Sequence, residues 1–341
     1  MKKIIAIFVA MMLFANVQVF ASDIEVQATM YSKSNAQDRV WAGSFQLVWN
    51  DFINKIVYNQ VRFREGTPVM ISELNRQQFT IDDVSEKNYY KYTGKVKKNT
   101  KRHISRGLRR KLHESSDLLS KIDLTPRNDM YIVFAMLKKE FEFMNSFDKL
   151  GHFSFGQDSI AEYFGIGENS DNRLGLGVKV LFYNTPTDYA VRLITTGQDE
   201  VYLYRNSANK PFNFIYEDMM KKQKAFKGIT QFKKVDELKI PNISLFEEKN
   251  YEELANRRIM GTNMVINQAL QAISFSMDNK GVKLKSEAGL SAEVTSILPP
   301  EELVPRLFYF DDTFVIFLKE KGKSKPYFAL RVNDINKFQT K

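Results

Sequence analysis

The chain contains three histidines, His103, His113 and His152, and no cysteine. Thiolate nucleophiles, disulfides and cysteine metal sites are therefore excluded. No histidines have zinc-protease spacing, there is no nucleophile elbow, and the carboxylates are too scattered to pair by position. "GIGENSDNRLGLG", Gly165 to Gly177, is glycine-rich but lacks the strand-loop-helix setting of a phosphate cradle, so it is expected to be a loop. These residue types point away from an enzyme, and neither a cofactor nor a metal is expected.

Two stretches could instead act on another molecule. In "GVKLKSEAGLSAEVTSILPP", Gly281 to Pro300, alternate residues are Val282, Leu284, Ser286, Ala288, Leu290, Ala292 and Val294. The intervening set is Lys283, Lys285, Glu287, Gly289, Ser291, Glu293 and Thr295. As a strand this segment has one face suited to a core and one to water. Slipping by one residue would bury the charges, so its register is well specified. Pro299 and Pro300 end it, because proline cannot donate to a ladder. By pattern alone it could equally be an ordinary, already paired strand.

The second stretch is "KYTGKVKKNTKRHISRGLRRKLH", Lys91 to His113, with ten lysines and arginines and no acid. As a helix over 101–113 it places Arg102, Arg106, Arg109 and Arg110 on one face and Ile104, Leu108 and Leu112 on the other. Gly107 inside that helix costs about 1 kcal/mol relative to alanine. Lys97, Lys98, Lys101, Arg102, Arg106, Arg109, Arg110 and Lys111 are candidate contacts for a polyanion such as a glycosaminoglycan or cell-surface polysaccharide. A merely solvated basic face fits the same pattern. Nucleic acid is not expected, since Tyr92 alone makes no stacking platform.

The elements that must carry these stretches follow from periodicity. Residues 1–21 have two lysines, an apolar run from Ile4 to Phe14 and a small-residue end at Ala21, which implies a secretory signal and a secreted or periplasmic protein. A membrane anchor fits less well, because Asn16 and Gln18 interrupt the run. The net charge is +10, and without Lys2 and Lys3 it is +8. Residues 22–341 are expected to form a single mixed α+β domain, helices mainly in the first half, strands in the second. Helices are predicted over 44–58, capped by Ser44, over about 100–120, over 214–226 and over 247–259. A short helix and a loop are expected within 145–175, and "VDELKIPNISL" reads as one strand. Strands are also predicted in "LGVKVLFYNTPTDYAVRLITTGQDEVYLYR", "ALQAISFSMDN", "RLFYFDDTFVIFLKEK" and "KPYFALRVND".

"FYFDDTFVIFL", Phe308 to Leu318, resembles the C-terminal signature of the serpins, with Asp312 where that family usually has a basic or amide residue. "KPYFALRVND" is similar to the family's closing strand. "ISFSMDNKG" resembles its strand leading to V-(D/N)-E-x-G, with Asn279 in place of Glu. "VKVLFYNTPTDYAVRLI" resembles its V-x-V-L hairpin. The resemblance covers 176–341, whereas in 22–175 only "VFAMLKKEF" echoes the family's N-A-x-x-F-K segment, with Phe134 in place of Asn.

This resemblance implies a serpin-like α+β domain with several β-sheets and an exposed C-terminal reactive loop at 281–300. It implies a monomeric suicide-substrate inhibitor of a serine or cysteine protease, cut near Thr295 and Ser296. The cut loop would insert into a sheet as an extra strand, which is the family's known behaviour. Insertion would bury Val282, Leu284, Leu290 and Val294 at roughly 1.5–3 kcal/mol each, on the order of 6–12 kcal/mol together. The loop begins "VKLKSEA" where inhibitory members carry Ala, Gly and Thr. A loop that inserts too slowly is simply a substrate. The alternative is a non-inhibitory protein of the same fold that binds polyanions through 91–113.

Overall fold

A computed structural model describes residues 24–116, 118–126, 130–266, 269–283 and 304–339. The expected export signal, 1–21, lies outside the described residues. The chain opens with β1 (Glu25–Gln27), β2 (Arg39–Ala42), α1 (Ser44–Phe52) and α2 (Val69–Leu74). It continues through β3 (Tyr89–Lys95), α3 (Thr100–Leu112), α4 (Leu118–Lys121), β4 (Tyr131–Leu137) and β5 (Phe141–Glu142). Next come β6 (Asp148–Phe155), β7 (Ser159–Ile166), β8 (Val178–Thr185), β9 (Asp188–Ile194), β10 (Asp199–Arg205) and α5 (Phe212–Ala225). The last part holds β11 (Glu237–Pro241), β12 (Ile243–Asn250), β13 (Arg257–Arg258), β14 (Val265–Ile266) and β15 (Leu270–Asp278). It ends with β16 (Gly281–Lys283), β17 (Leu307–Tyr309), β18 (Phe314–Glu320) and β19 (Phe328–Val332).

A seven-stranded sheet, β1-β2-β19-β18-β10-β9-β8, forms the centre. β18 reads "FVIFLKE", and β10 "DEVYLYR" is buried along its whole length. Both lie inside the sheet, where neighbours cover both edges and packed elements cover both faces. That position explains why apolar residues run on without alternating. Two four-stranded sheets, β17-β11-β7-β6 and β12-β15-β16-β5, and the pairs β3-β4 and β13-β14 complete the α+β architecture. Among the described residues, four of the five α-helices precede Asp148.

Several expectations are corrected by packing. The helix over 44–58 is α1 followed by a π-helical turn at Ile53–Val57, and all nine residues of α1 are buried rather than one stripe. Gly43, not Ser44, is its N-cap. A Cβ at Gly43 would lie 2.2 Å from the Phe79 ring, while the Ser44 hydroxyl accepts a hydrogen bond from Gln271 at 3.1 Å. The helix expected near 100–120 breaks at His113, which has left-handed backbone, and resumes as α4. Gly107 also finds its reason, because a Cβ there would meet the Tyr90 ring at 2.4 Å.

The short helix expected within 145–175 is instead the antiparallel hairpin β6–β7, turning at Gly156 with φ +60°. "VDELKIPNISL" is not one strand. β11 pairs with β7 and β17, whereas β12 pairs with β15, so the chain changes sheets at Asn242. The helix expected over 247–259 is absent. β12 extends to Asn250 and only the 3₁₀ turn Glu252–Leu254 follows. In both segments the charged residues suggest helix, and the pull of an adjacent strand edge overrides that preference.

Candidate functional site

β16 is only three residues long, yet it is paired on both flanks. Against β15, Gly281 faces Asp278 and Val282 faces Met277; against β5 they face Glu142 and Phe141. Both pairings are antiparallel, so β15 and β5 run the same way with β16 reversed between them. The connecting turn is tied down from outside, as Phe143 N–H donates to Lys280 O at 2.9 Å and Phe147 N–H to Asn279 O at 2.8 Å. Only glycine fits at 281, since a Cβ would lie 2.3 Å from the Phe141 carbonyl oxygen. Val282 is 1% exposed. Gly281 and Val282, expected to open a loop outside the sheet, therefore already belong to it. Leu284, Ser286, Ala288, Leu290, Ala292, Val294, Thr295 and Ser296 lie outside the described residues.

Below β16 the flanking strands stay apart. β15 pairs with β12 along one edge, but its other edge has a strand partner among the described residues only at Ser276–Asp278. β4, which precedes β5, pairs with β3 alone among the described strands. Between β4 and β15 lies a slot of about 420 Å³. Met136 and Leu137 wall one side, Ile273 and Ser274 the other, Leu318 and Phe328 of the seven-stranded sheet line its base, and Val282 stands at its mouth. The far end is closed by an isolated parallel bridge between Met130 and Val265.

A buried charge cluster sits where β4 meets the seven-stranded sheet. Lys139 lines the slot and donates to Asp199 at 2.7 Å and to Glu320, with its ammonium 4.7 Å from the Tyr327 ring centre. The Tyr327 hydroxyl donates to Asp199 at 3.0 Å. Burial and then the Asp199 charge push that phenol well above its ordinary value. Glu320 also accepts from Ser85 N–H at 3.0 Å and Asn88 at 2.9 Å. Burial alone would raise the Glu320 carboxyl, but hydrogen bonds from Lys139 and Ser85 outweigh it and hold it at about 2, below the ordinary 4.5. Residues so far apart in the chain carried no common signal in the sequence.

α3 and α4 bridge the slot on its other side. Ile104, Leu108 and Leu112 of α3 and Leu119 of α4 share one apolar cluster with Ile132 and Phe134 of β4 and with Leu270 and Ala272 of β15. The basic face points the opposite way. Lys97, Lys98, Lys101, Arg102, Arg106, Arg109 and Arg110 are exposed, and among the described residues no carboxylate pairs with them. Lys98, Lys101, Arg102, Arg106 and Arg109 line one shallow depression. Lys111 leaves this set, being half-buried, paired with Glu86 at 3.1 Å and over the Tyr89 ring. Among the described residues no cluster of His, Cys, Asp and Glu could hold a metal, and no helix is long and apolar enough to cross a membrane.

No protein-family model and no curated sequence matches the chain. Solved structures of similar fold do. Serpin48 of the insect Tenebrio molitor is 13% identical with a TM-score of 0.45, over 87% of this chain and 91% of that one. Human glycosylated kallistatin is 8% identical with a TM-score of 0.45, over 69% of this chain and 64% of that one. Human thyroxine-binding globulin complexed with thyroxine is 9% identical with a TM-score of 0.42, over 78% and 70%. All three are serpins. This is the family whose motifs 308–318 resemble, and the likeness extends to fold, not activity. Against kallistatin the chain spans less than two thirds of the relative's length.

Two consequences follow for the site. Gly281→Val displaces β16 from β5, so amide exchange accelerates across 276–283 while β18 and β10 stay protected; unchanged protection would show that glycine is not required. The Glu320 carboxylate, with its folded value depressed, contributes stability that is whole above pH 4.5 and lost as pH falls toward about 2. Glu320→Gln therefore melts below the parent chain at neutral pH, and the gap closes on acidification through that window; a gap independent of pH contradicts the assignment.

Proposed function

We propose that the chain is an exported, serpin-like inhibitor that uses 281–300 as bait for a serine or cysteine protease, with the bait bond near Thr295 and Ser296. The observation that carries this reading is β16, seated at the mouth of a slot and aligned to continue into it. A strand added there would meet the open edges of β15 and β4, and the backbone bonds it gained would reinforce side-chain burial.

The register of β16 specifies that addition. Each further residue would step one position back along β15, bringing Leu284, Ser286 and Ala288 opposite Phe275, Ile273 and Gln271. All three of those β15 residues are buried. The small and apolar set of the loop thus matches the inner face of its neighbour. Lys285 and Glu287 would come opposite Ser274 and Ala272 on the side that α3 and α4 cover.

Two features moderate the driving force. Val282 is already buried, so the remaining apolar gain is that of Leu284, Leu290 and Val294, on the order of 4.5–9 kcal/mol. The slot's flank also ends at Leu270, opposite Gly289, and the Met130–Val265 bridge lies beyond. Insertion of Leu290 and Val294 would require that bridge to open and α3–α4 to lift, so trapping competes with simple hydrolysis of the acyl-enzyme.

The polyanion reading has its own support in the seven unpaired cations on one side of α3. It is compatible with inhibition, since the basic face and the slot use different surfaces of the same helix.

Incubation with a panel of serine proteases is expected to yield a denaturant-stable adduct and, for the cleaved chain, a raised melting temperature. Quantitative cleavage with neither adduct nor gain in melting temperature rejects the inhibitor reading. For the polyanion, retention on heparin should fall with salt and be lost in the triple variant Arg106→Ala, Arg109→Ala, Arg110→Ala; retention equal to the parent's rejects that reading.

A further inference from the structure

A second cavity, of about 210 Å³, opens between β2, α5 and the turn ahead of β19. Trp41 and Ala42 are successive residues of β2, with Trp41 lining this cavity and Ala42 the slot. Successive strand side chains face opposite ways, so the two spaces lie on opposite faces of the seven-stranded sheet. The cavity therefore stands independently of the inhibitor proposal.

Its walls are flat and apolar. Trp41 and Phe79 meet edge to face with ring centres 5.5 Å apart, and Tyr31 and Tyr216 add two more rings to the lining. Three lining residues also carry buried polar atoms that make no hydrogen bond within the protein: Trp41 Nε1, Gln78 Oε1 and Asn213 Oδ1. Trp41 is 1% exposed and Asn213 7%. Buried polar groups are normally paired, so three orphans around one cavity call for a partner. Neighbouring groups obey the rule. Gln46, in the same lining, donates to Asn50 and to Leu74 O at 2.8 Å each, and the other tryptophan, Trp49, donates to Asn75 at 3.2 Å.

We propose that this cavity binds a neutral planar heterocycle or aromatic carboxamide of one or two rings. The orphan set comprises one N–H donor and two carbonyl acceptors, so the occupant must offer an acceptor and N–H donors together, as a lactam or carboxamide edge does. The volume exceeds the roughly 150 Å³ that admits benzene and falls short of the roughly 300 Å³ at which drug-sized pockets begin. Glu217 and Lys325 line the opening with opposite charges, so neither an anion nor a cation is selected.

The chain has two tryptophans, so its indole N–H region holds two resonances. Uracil and nicotinamide serve as probes, with toluene as an apolar control of similar size, and Trp49→Phe assigns the Trp41 signal. The expected result is a saturable shift of the Trp41 resonance with uracil or nicotinamide, with the Trp49 resonance unmoved. Asn213→Leu should weaken binding at least tenfold; should that variant fail to fold, Gln78→Met provides the same comparison. Absence of a saturable shift with either polar probe, an equal response to toluene, or unchanged affinity in the folded variants overturns the proposal.

Discussion

The arrangement depends on one piece of backbone, the three residues of β16 held between β15 and β5. Two antiparallel ladders meet on Gly281 and Val282, and each leaves the same question open one residue further on. An open strand edge is a template, because its unpaired N–H and C=O groups gain when another strand arrives. Here two such edges face one another across a slot, and the segment able to fill it is covalently attached at the mouth. Effective concentration and register are both set before any bond is cut.

That seat has to be held open as well as filled. The Lys139, Asp199, Glu320 and Tyr327 cluster ties the segment between β4 and β5 to the seven-stranded sheet, fixing one wall of the slot against its base. The α3–α4 bridge holds β4 and β15 at their spacing from the opposite side. Both restraints resist wide opening, which suits a metastable arrangement and also slows its conversion. The bulky Leu284 and charged Glu287 add to that resistance, where small residues would pass more freely. The same helix that spans the slot carries the exposed cations, so an anion settling on α3 would act on the element that must move. Charge and conformational change are thus placed on one helix by packing.

The legibility of the fold was uneven for identifiable reasons. β8, β9, β10, α5, β15, β18 and β19 follow directly from period-two or period-3.6 patterns, because each buries a consistent face. α1 was located correctly but misread in character, since its exposed-looking polar residues Gln46 and Asn50 are buried and satisfied by Leu74 O and Phe79 O. The β6–β7 hairpin was missed because β6 is largely exposed and gives no apolar alternation. β12 was taken for helix because Glu247, Glu248 and Lys249 sit on a strand whose partner, β15, supplies the order. In the site, Val282 was foreseen as inward-facing, and its two flanking partners were not.

By itself the sequence determined the period of 281–294, the single basic face of α3 and the absence of thiol chemistry, because these depend only on residue type and spacing. Tertiary structure alone decided that β16 is already paired, that a slot lies beyond it, and that Trp41, Gln78 and Asn213 surround one cavity. Those facts depend on which strand edges are left unmet once the core has closed, a property of the assembled chain and of no local stretch.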